Sequence, residues 1–128
     1  MAPLFIKVPY LPVKAITLVF VVLYTLRVDE TGAAEAELSQ VVRQHETIHF
    51  WQWLETLVVG FAFIYLWDFS RAWYVRSFKP SEFWNSYLCI RFEQEAYDHD
   101  KEENYLNGRK RHAWQDYDVY NPKFELVR

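Results

Sequence analysis

The sequence predicts a small α+β fold that is mainly helical, with a short N-terminal sheet or hairpin followed by two to three helices. Three patterns predict it: a β-branched and aromatic run at Ile16–Thr25, apolar residues at helical spacing from Val41 to Val58, and a second helical pattern that begins at Phe83. The 128 residues are 52% hydrophobic and 20% aromatic, so we expect a single folded domain over residues 1–128.

The N-terminal part is expected to form β-structure. Pro9 and Pro12 precede the run Ile16–Thr25, and its Val, Ile, Thr, Phe and Tyr residues fit a buried strand better than a helix. A second, shorter strand is expected at Leu4–Val8. The polar segment Asp29–Gly32 then predicts a turn.

A long helix is predicted next. It begins with the helix formers Ala33–Leu38, and its apolar residues recur at helical spacing. From Thr56 to Trp67 the polar face disappears, and a helix that is apolar all round is buried in protein, dimerised or lying in a membrane. Gly60 marks a kink or a close helix contact. Another helix is predicted from Phe83 to about Asn104, followed by a solvated segment with the aromatic anchors Trp114, Tyr117 and Phe124.

Charge and cysteine content exclude some classes of protein. The net charge of -3 and the pI near 5.8 argue against a nucleic-acid partner. The single cysteine, Cys89, is expected to be a small core residue in a reducing compartment. The apolar stretch Ala15–Leu26 is too short to span a membrane, and Arg27, Asp29 and Glu30 after it make a poor signal-peptide cleavage site. We expect a cytoplasmic protein, with association to a membrane left open.

The strongest chemical signal is the segment His45-Glu46-Thr47-Ile48-His49, which matches the pattern H-E-x-x-H. Residues i and i+4 of a helix share a face, so both imidazoles can reach one metal ion, expected to be zinc. Glu46 would sit beside the ion, able to accept a proton from water. A catalytic zinc usually takes a third protein ligand, and no third histidine follows at the spacing known for such motifs.

Two carboxylates are candidates for the third ligand, Glu93 and Glu95. On a helix they point about 200° apart, so one ion can readily take only one of them. Ile90, Ala96 and Tyr97 lie at helical spacing from Glu93, which favours Glu93 as the ligand on the core face. Glu95 is then expected to face solvent.

These motifs together resemble the gluzincin metallopeptidases, in particular very small minigluzincin-like proteins of marine bacteria and bacteriophages. The resemblance covers about Ile16 to Trp114 and includes the segments Gln44–Gln52 and Arg91–Tyr97. It implies a small zincin-like core, a zinc ion bound by His45, His49 and Glu93, and Glu46 as general base. Tyr97 stands where gluzincins have an aspartate that supports a zinc-binding histidine, so that support has no assigned residue.

The resemblance also implies a substrate and its place. An extended peptide would pair with the strand Ile16–Thr25 at the edge of the cleft, where zinc polarises the scissile carbonyl and Glu46 takes up a proton. Oxyanion stabilisation has four candidate donors: Tyr97, His99, Tyr105 and His112. Two other functions stay open: a non-catalytic structural metalloprotein, and a module that binds a membrane or a protein partner through the aromatic-rich helix Phe50–Trp67.

Overall fold

A computed structural model of the chain describes residues 2–11, 13–18, 20–26 and 39–123. Three short strands come first: β1 (Leu4–Lys7), β2 (Ala15–Leu18) and β3 (Val21–Tyr24). Within the described residues, five α-helices follow: α1 (Gln40–Glu55), α2 (Val59–Tyr74), α3 (Phe83–Leu88), α4 (Arg91–His99) and α5 (Tyr105–Gly108). The small, mainly helical α+β fold is confirmed, with more and shorter helices than the two to three expected.

The three strands form one sheet in the order β1-β3-β2, with β1 parallel and β2 antiparallel to β3. The strand expected at Leu4–Val8 is confirmed as β1. The single strand predicted over Ile16–Thr25 is wrong, because β2 and β3 are paired neighbours with Leu18 opposite Val21. No Gly, Pro or Asn marks the reversal between them, so strand periodicity alone could not find it. Among the strands formed by the described residues, β2 consequently lies at an edge of the sheet.

Helix α1 begins at a side-chain cap. Ser39 has an extended backbone, and its Oγ accepts a hydrogen bond from the backbone N–H of Val42 at 3.3 Å. The turn predicted at Asp29–Gly32 and the helix start at Ala33–Leu38 lie outside the described residues. From Gln40 onward the predicted helix is observed, and His45 and His49 lie near the middle of α1.

The chain breaks sharply between α1 and α2, whose axes differ in direction by 112°. Leu57 and Val58 adopt positive φ angles of 58° and 66°, which bulky side chains rarely adopt. The kink predicted at Gly60 therefore lies slightly earlier, at residues that carry no breaker signal. Gly60 makes the close contact instead, because a Cβ placed there would lie 3.2 Å from the Cβ of Thr56.

The continuous helix predicted from Phe83 to about Asn104 is also wrong. It is divided into α3 and α4 at Cys89 and Ile90, because the backbone of Ile90, with ψ at 129°, leaves the helical conformation. The break lets the backbone N–H and guanidinium of Arg91 bind the fully buried carboxylate of Asp68 on α2, with distances of 2.9–3.2 Å. This tertiary ion pair fixes the start of α4.

The core joins α2 and α4 to the C-terminal part of the described chain. The rings of Phe61 and Phe92 stack at 4.4 Å, and Phe92 contacts the predicted anchor Trp114. Cys89 is buried, as expected, against Ala72 and Val119. Phe124 lies outside the described residues. Helix α1 packs against both α4 and β2, and this three-way junction positions the candidate site.

Candidate metal centre

His45 and His49 lie one turn apart on α1, and Glu93 faces them from α4. All three side chains are buried, and one donor atom from each lies within 4.8 Å of the others. Two imidazoles and a carboxylate of this kind are ligands that zinc and related transition metals take. The structure therefore brings together the three ligands predicted from the sequence into a group that could hold a metal ion.

One nitrogen in this group lacks the partner that burial demands. Nε2 of His49 lies 2.7 Å from Oε1 of Glu93, but the contact lacks hydrogen-bond geometry, and no other residue in the described part of the chain pairs with this nitrogen. Nε2 of His45 makes only a long contact of 3.3 Å with Oε2 of Glu93. Because buried polar atoms are normally satisfied, these two nitrogens fit a metal ion better than they fit hydrogen bonds.

The other ring nitrogen of each histidine has its own acceptor. Nδ1 of His45 lies 3.2 Å from Oδ2 of Asp100, and Nδ1 of His49 lies 2.7 Å from Oε1 of Gln52. Such partners orient metal-binding histidines and leave Nε2 free for the ion. Asp100 thus contacts His45 from outside the three-donor group, at a residue that the sequence did not single out, while Tyr97 packs its ring on His45 at 4.3 Å.

The close contacts in this group raise the pKa values of the two histidines and lower the pKa of Glu93. Burial would lower the pKa of His45, but the hydrogen bond with Asp100 and the contact with Glu93 raise it from 6.5 to about 10. Burial likewise opposes protonation of His49, yet the charge of Glu93 raises its pKa. Burial would raise the pKa of Glu93, but the two imidazoles lower it. A metal ion would replace protons here.

Glu46 adjoins the ligand group but is not part of it. The Oγ1 of Thr17 on β2 lies 2.6 Å from Oε2 of Glu46, and 3.0 Å from its backbone carbonyl. Thr17 donates its single proton to this pair of acceptors and so fixes the carboxylate. Sequence reasoning missed Thr17, because only the packing of β2 against α1 reveals the contact.

Glu95 does not face solvent, so that expectation is wrong. Its side chain is fully buried, and both carboxylate oxygens bind Arg109, which comes from the segment after α5. Tyr105 donates a further hydrogen bond at 2.8 Å. Because Glu95 is paired in this way and lies outside the three-donor group, Glu93 is the carboxylate placed to bind metal.

Two cavities open beside the group. One of about 390 Å³ is mostly apolar and contains Glu46, His49 and Glu93, together with residues of β2 and α2. The other, of about 460 Å³, contains His45 and Glu46 and reaches Tyr97 and Asp100. Glu46 thus borders both spaces.

Of the four predicted oxyanion donors, only Tyr97 adjoins the site. His99 interacts with Asp98, Glu102 and Tyr117, Tyr105 binds Glu95, and His112 lies beside Glu55. Tyr65, which the sequence did not single out, has its hydroxyl 3.4 Å from Oε1 of Glu93. Burial, followed by the charge of Glu93, raises the pKa of Tyr65, so its O–H stays a donor.

Comparison with protein-family models, curated proteins and solved structures finds no significant match to this chain.

Proposed function

We propose that this protein is a zinc-dependent metallopeptidase built on a small zincin-like core. The observation that carries the proposal is the placement of Glu46: a buried carboxylate, fixed by Thr17, adjoins a three-ligand group without belonging to it. A purely structural metal site has no use for such a group, whereas hydrolysis needs a base beside a site with three protein ligands.

In the proposed reaction, zinc would activate the carbonyl and the water, and side chains of the protein transfer the proton and hold the ion. When bound, zinc would act as a Lewis acid toward a peptide carbonyl and make water easier to deprotonate. Glu46 takes the proton from water and carries it to the leaving amine. His45, His49 and Glu93 hold the ion, and the hydroxyl of Tyr65 is the candidate donor to developing negative charge.

The apolar cavity supports a peptide as the substrate. Its one wall is β2, an edge strand whose four residues all border the space, so an extended peptide can add to the sheet there. Its other wall is Phe61, Ala62, Tyr65 and Leu66 of α2. We therefore expect a substrate segment that is extended and presents an apolar side chain to α2.

The first test is the metal content of the purified wild-type protein together with its activity on a mixture of unstructured peptides. We expect close to stoichiometric zinc and cleavage that stops on chelation and returns with added zinc. Zinc without cleavage would favour a structural metalloprotein. A protein that binds no zinc would contradict the metal site itself.

A second role is favoured by the outer face of α2. This face carries four large apolar residues at helical spacing that are 62–71% exposed: Val59, Phe63, Trp67 and Tyr74. Among the described residues, no single helix has the length and apolarity to cross a membrane, although α1 and α2 meet those criteria together despite their bend. An exposed aromatic face on a helix too short to span is typical of helices that lie in a membrane interface.

Charge indicates what covers this face. Residues 59–79 contain Arg71, Arg76 and Lys79 but one acidic residue, Asp68, which is buried, whereas the rest of the chain has eleven basic and sixteen acidic residues. Arg71 pairs with Asp68, and Arg76 lies 3.6 Å from Glu82, so the positive charge beside the apolar face is partly neutralised in a protein that is otherwise acidic. We further propose that α2 rests on an anionic membrane surface.

Vesicle flotation tests this second role. We expect the wild-type protein to float with vesicles that contain phosphatidylserine and the Phe63→Glu/Trp67→Glu variant to stay in the protein fraction, because two charges would enter the apolar layer. Tyr10→Glu, at an aromatic residue that is 78% exposed outside α2, is the matched control. Membrane binding would be contradicted if the wild-type protein does not float with the vesicles. It would also be contradicted if sedimentation shows a wild-type dimer that the two substitutions dissociate.

A further inference from the structure

A line of buried polar side chains leads away from the metal centre through Gln52. Oε1 of Gln52 lies 2.7 Å from Nδ1 of His49, and its Nε2 donates to Oε1 of Glu95 at 3.0 Å. Glu95 in turn accepts two hydrogen bonds from Arg109. Gln52 and Glu95 are fully buried, and the side chain of Arg109 is 6% exposed. The line therefore connects a metal ligand to the segment after α5.

The direction of each hydrogen bond in this line is determined by chemistry. Arg109 can only donate, so Glu95 accepts from it. Nε2 of Gln52 faces two acceptors, the carboxylate of Glu95 and the backbone carbonyl of Phe92 at 3.1 Å, so the amide nitrogen must be on that side. The amide oxygen consequently faces His49, which must donate from Nδ1. That tautomer places the lone pair of neutral His49 on Nε2, the atom beside Glu93.

The far end of the line is firmly held. Arg109 also binds the side chain of Glu55 at the end of α1, and Glu55 accepts a hydrogen bond of 2.7 Å from the backbone N–H of His112. Tyr105 adds its hydroxyl to Glu95. The buried carboxylate of Glu95 and the partly buried carboxylate of Glu55 thus fix one guanidinium. These contacts hold the chain from Tyr105 to His112 against α1 and α4.

We infer that Gln52 is a positioning residue for the metal ligand His49, and that Glu95 and Arg109 impose its orientation. The segment from Tyr105 to His112 therefore tunes metal affinity although it contributes no ligand. The inference rests on the proposed metal site but not on peptide hydrolysis. The three residues act in series. Once Gln52 is removed, a change at Glu95 or Arg109 should no longer alter the affinity for the metal.

The test measures zinc affinity by competition with a chelator of known affinity. Gln52→Leu should weaken zinc binding by about 10–100-fold, the usual effect of losing a partner that orients a histidine ligand. Gln94→Leu is the matched control. Gln94 is also fully buried, yet its amide hydrogen bonds within the described residues are all to backbone groups, those of Cys89, Asp118 and Lys123. This variant should lose stability similarly while keeping wild-type zinc affinity.

A double-mutant cycle tests the series. Glu95→Gln should weaken zinc binding in the wild-type background but have no further effect in Gln52→Leu, because the link through which it acts is already gone. Imidazole ¹⁵N spectra supply a second readout: the zinc-bound wild type should show His49 protonated at Nδ1, and Gln52→Leu should lose the single, well-defined Nδ1 signal. If Gln52→Leu does not fold, the positioning role is tested by the zinc affinity of Glu95→Gln and by the Nδ1 signal of His49 in the wild type.

Each outcome distinguishes this inference from the proposed function. Wild-type zinc affinity in Gln52→Leu, equal weakening in Gln94→Leu, or additive effects in the cycle would overturn the positioning role. Zinc bound without peptide cleavage, with the expected losses in the variants, would overturn the peptidase and support the positioning role. No zinc in the wild type would overturn both.

Discussion

Glu46→Gln is expected to lower kcat for peptide hydrolysis by about 100- to 10,000-fold, the usual contribution of a positioned general base. The amide cannot take up the proton that the carboxylate accepts. Because Glu46 lies beside the three-donor group and is not one of its members, zinc content should stay at the wild-type level. Thr17 can still donate to the amide oxygen, so the local structure is preserved.

The measurement is kcat on the best peptide from the wild-type screen, with zinc content and melting temperature determined on the same samples. Retained activity in Glu46→Gln would show that another group takes the proton. Loss of zinc together with activity would instead make Glu46 a ligand. Loss of activity with zinc and melting temperature unchanged is the result that only a catalytic role explains.

The residues that could be predicted from the sequence are those whose geometry is local. His45 and His49 share a helix face because of their spacing, and Glu93 was placed on the core face by its apolar neighbours. The coarse fold followed from periodicity in the same way. These signals need no knowledge of the partner across the core.

What could not be predicted depends on residues distant in sequence. In the sequence Glu95 resembles a surface charge, because its partner Arg109 follows α5 and is brought to it only by folding. The role of Gln52 depends in turn on its contact with the buried Glu95. Asp100 reaches His45 from the end of α4. The reversal between β2 and β3 and the break at Leu57 lack the glycine or proline that usually marks them, so tertiary packing overrode local preference there.

Glu93→Gln is expected to remove most of the zinc affinity. Structural zinc sites supply about 10–16 kcal/mol, so losing one of three protein ligands should cost roughly 3–5 kcal/mol, or about 100- to 10,000-fold in affinity. Zinc at about 1,000 times its Kd should raise the wild-type melting temperature by roughly 10–20 °C. The same zinc concentration is then only about 10 to 0.1 times the Kd of the variant, so the variant should show at most about a third of this shift.

The matched control is Glu103→Gln, an exposed glutamate beyond α4, which should keep both the affinity and the zinc-induced shift. Circular dichroism without zinc checks that Glu93→Gln is folded, since the substitution also removes the buried counter-charge of His45 and His49. A folded variant that still binds zinc like the wild type would exclude Glu93 as a ligand. A folded variant that loses zinc, beside an intact control, assigns the third ligand to α4 and leaves Glu46 as the free carboxylate of the site.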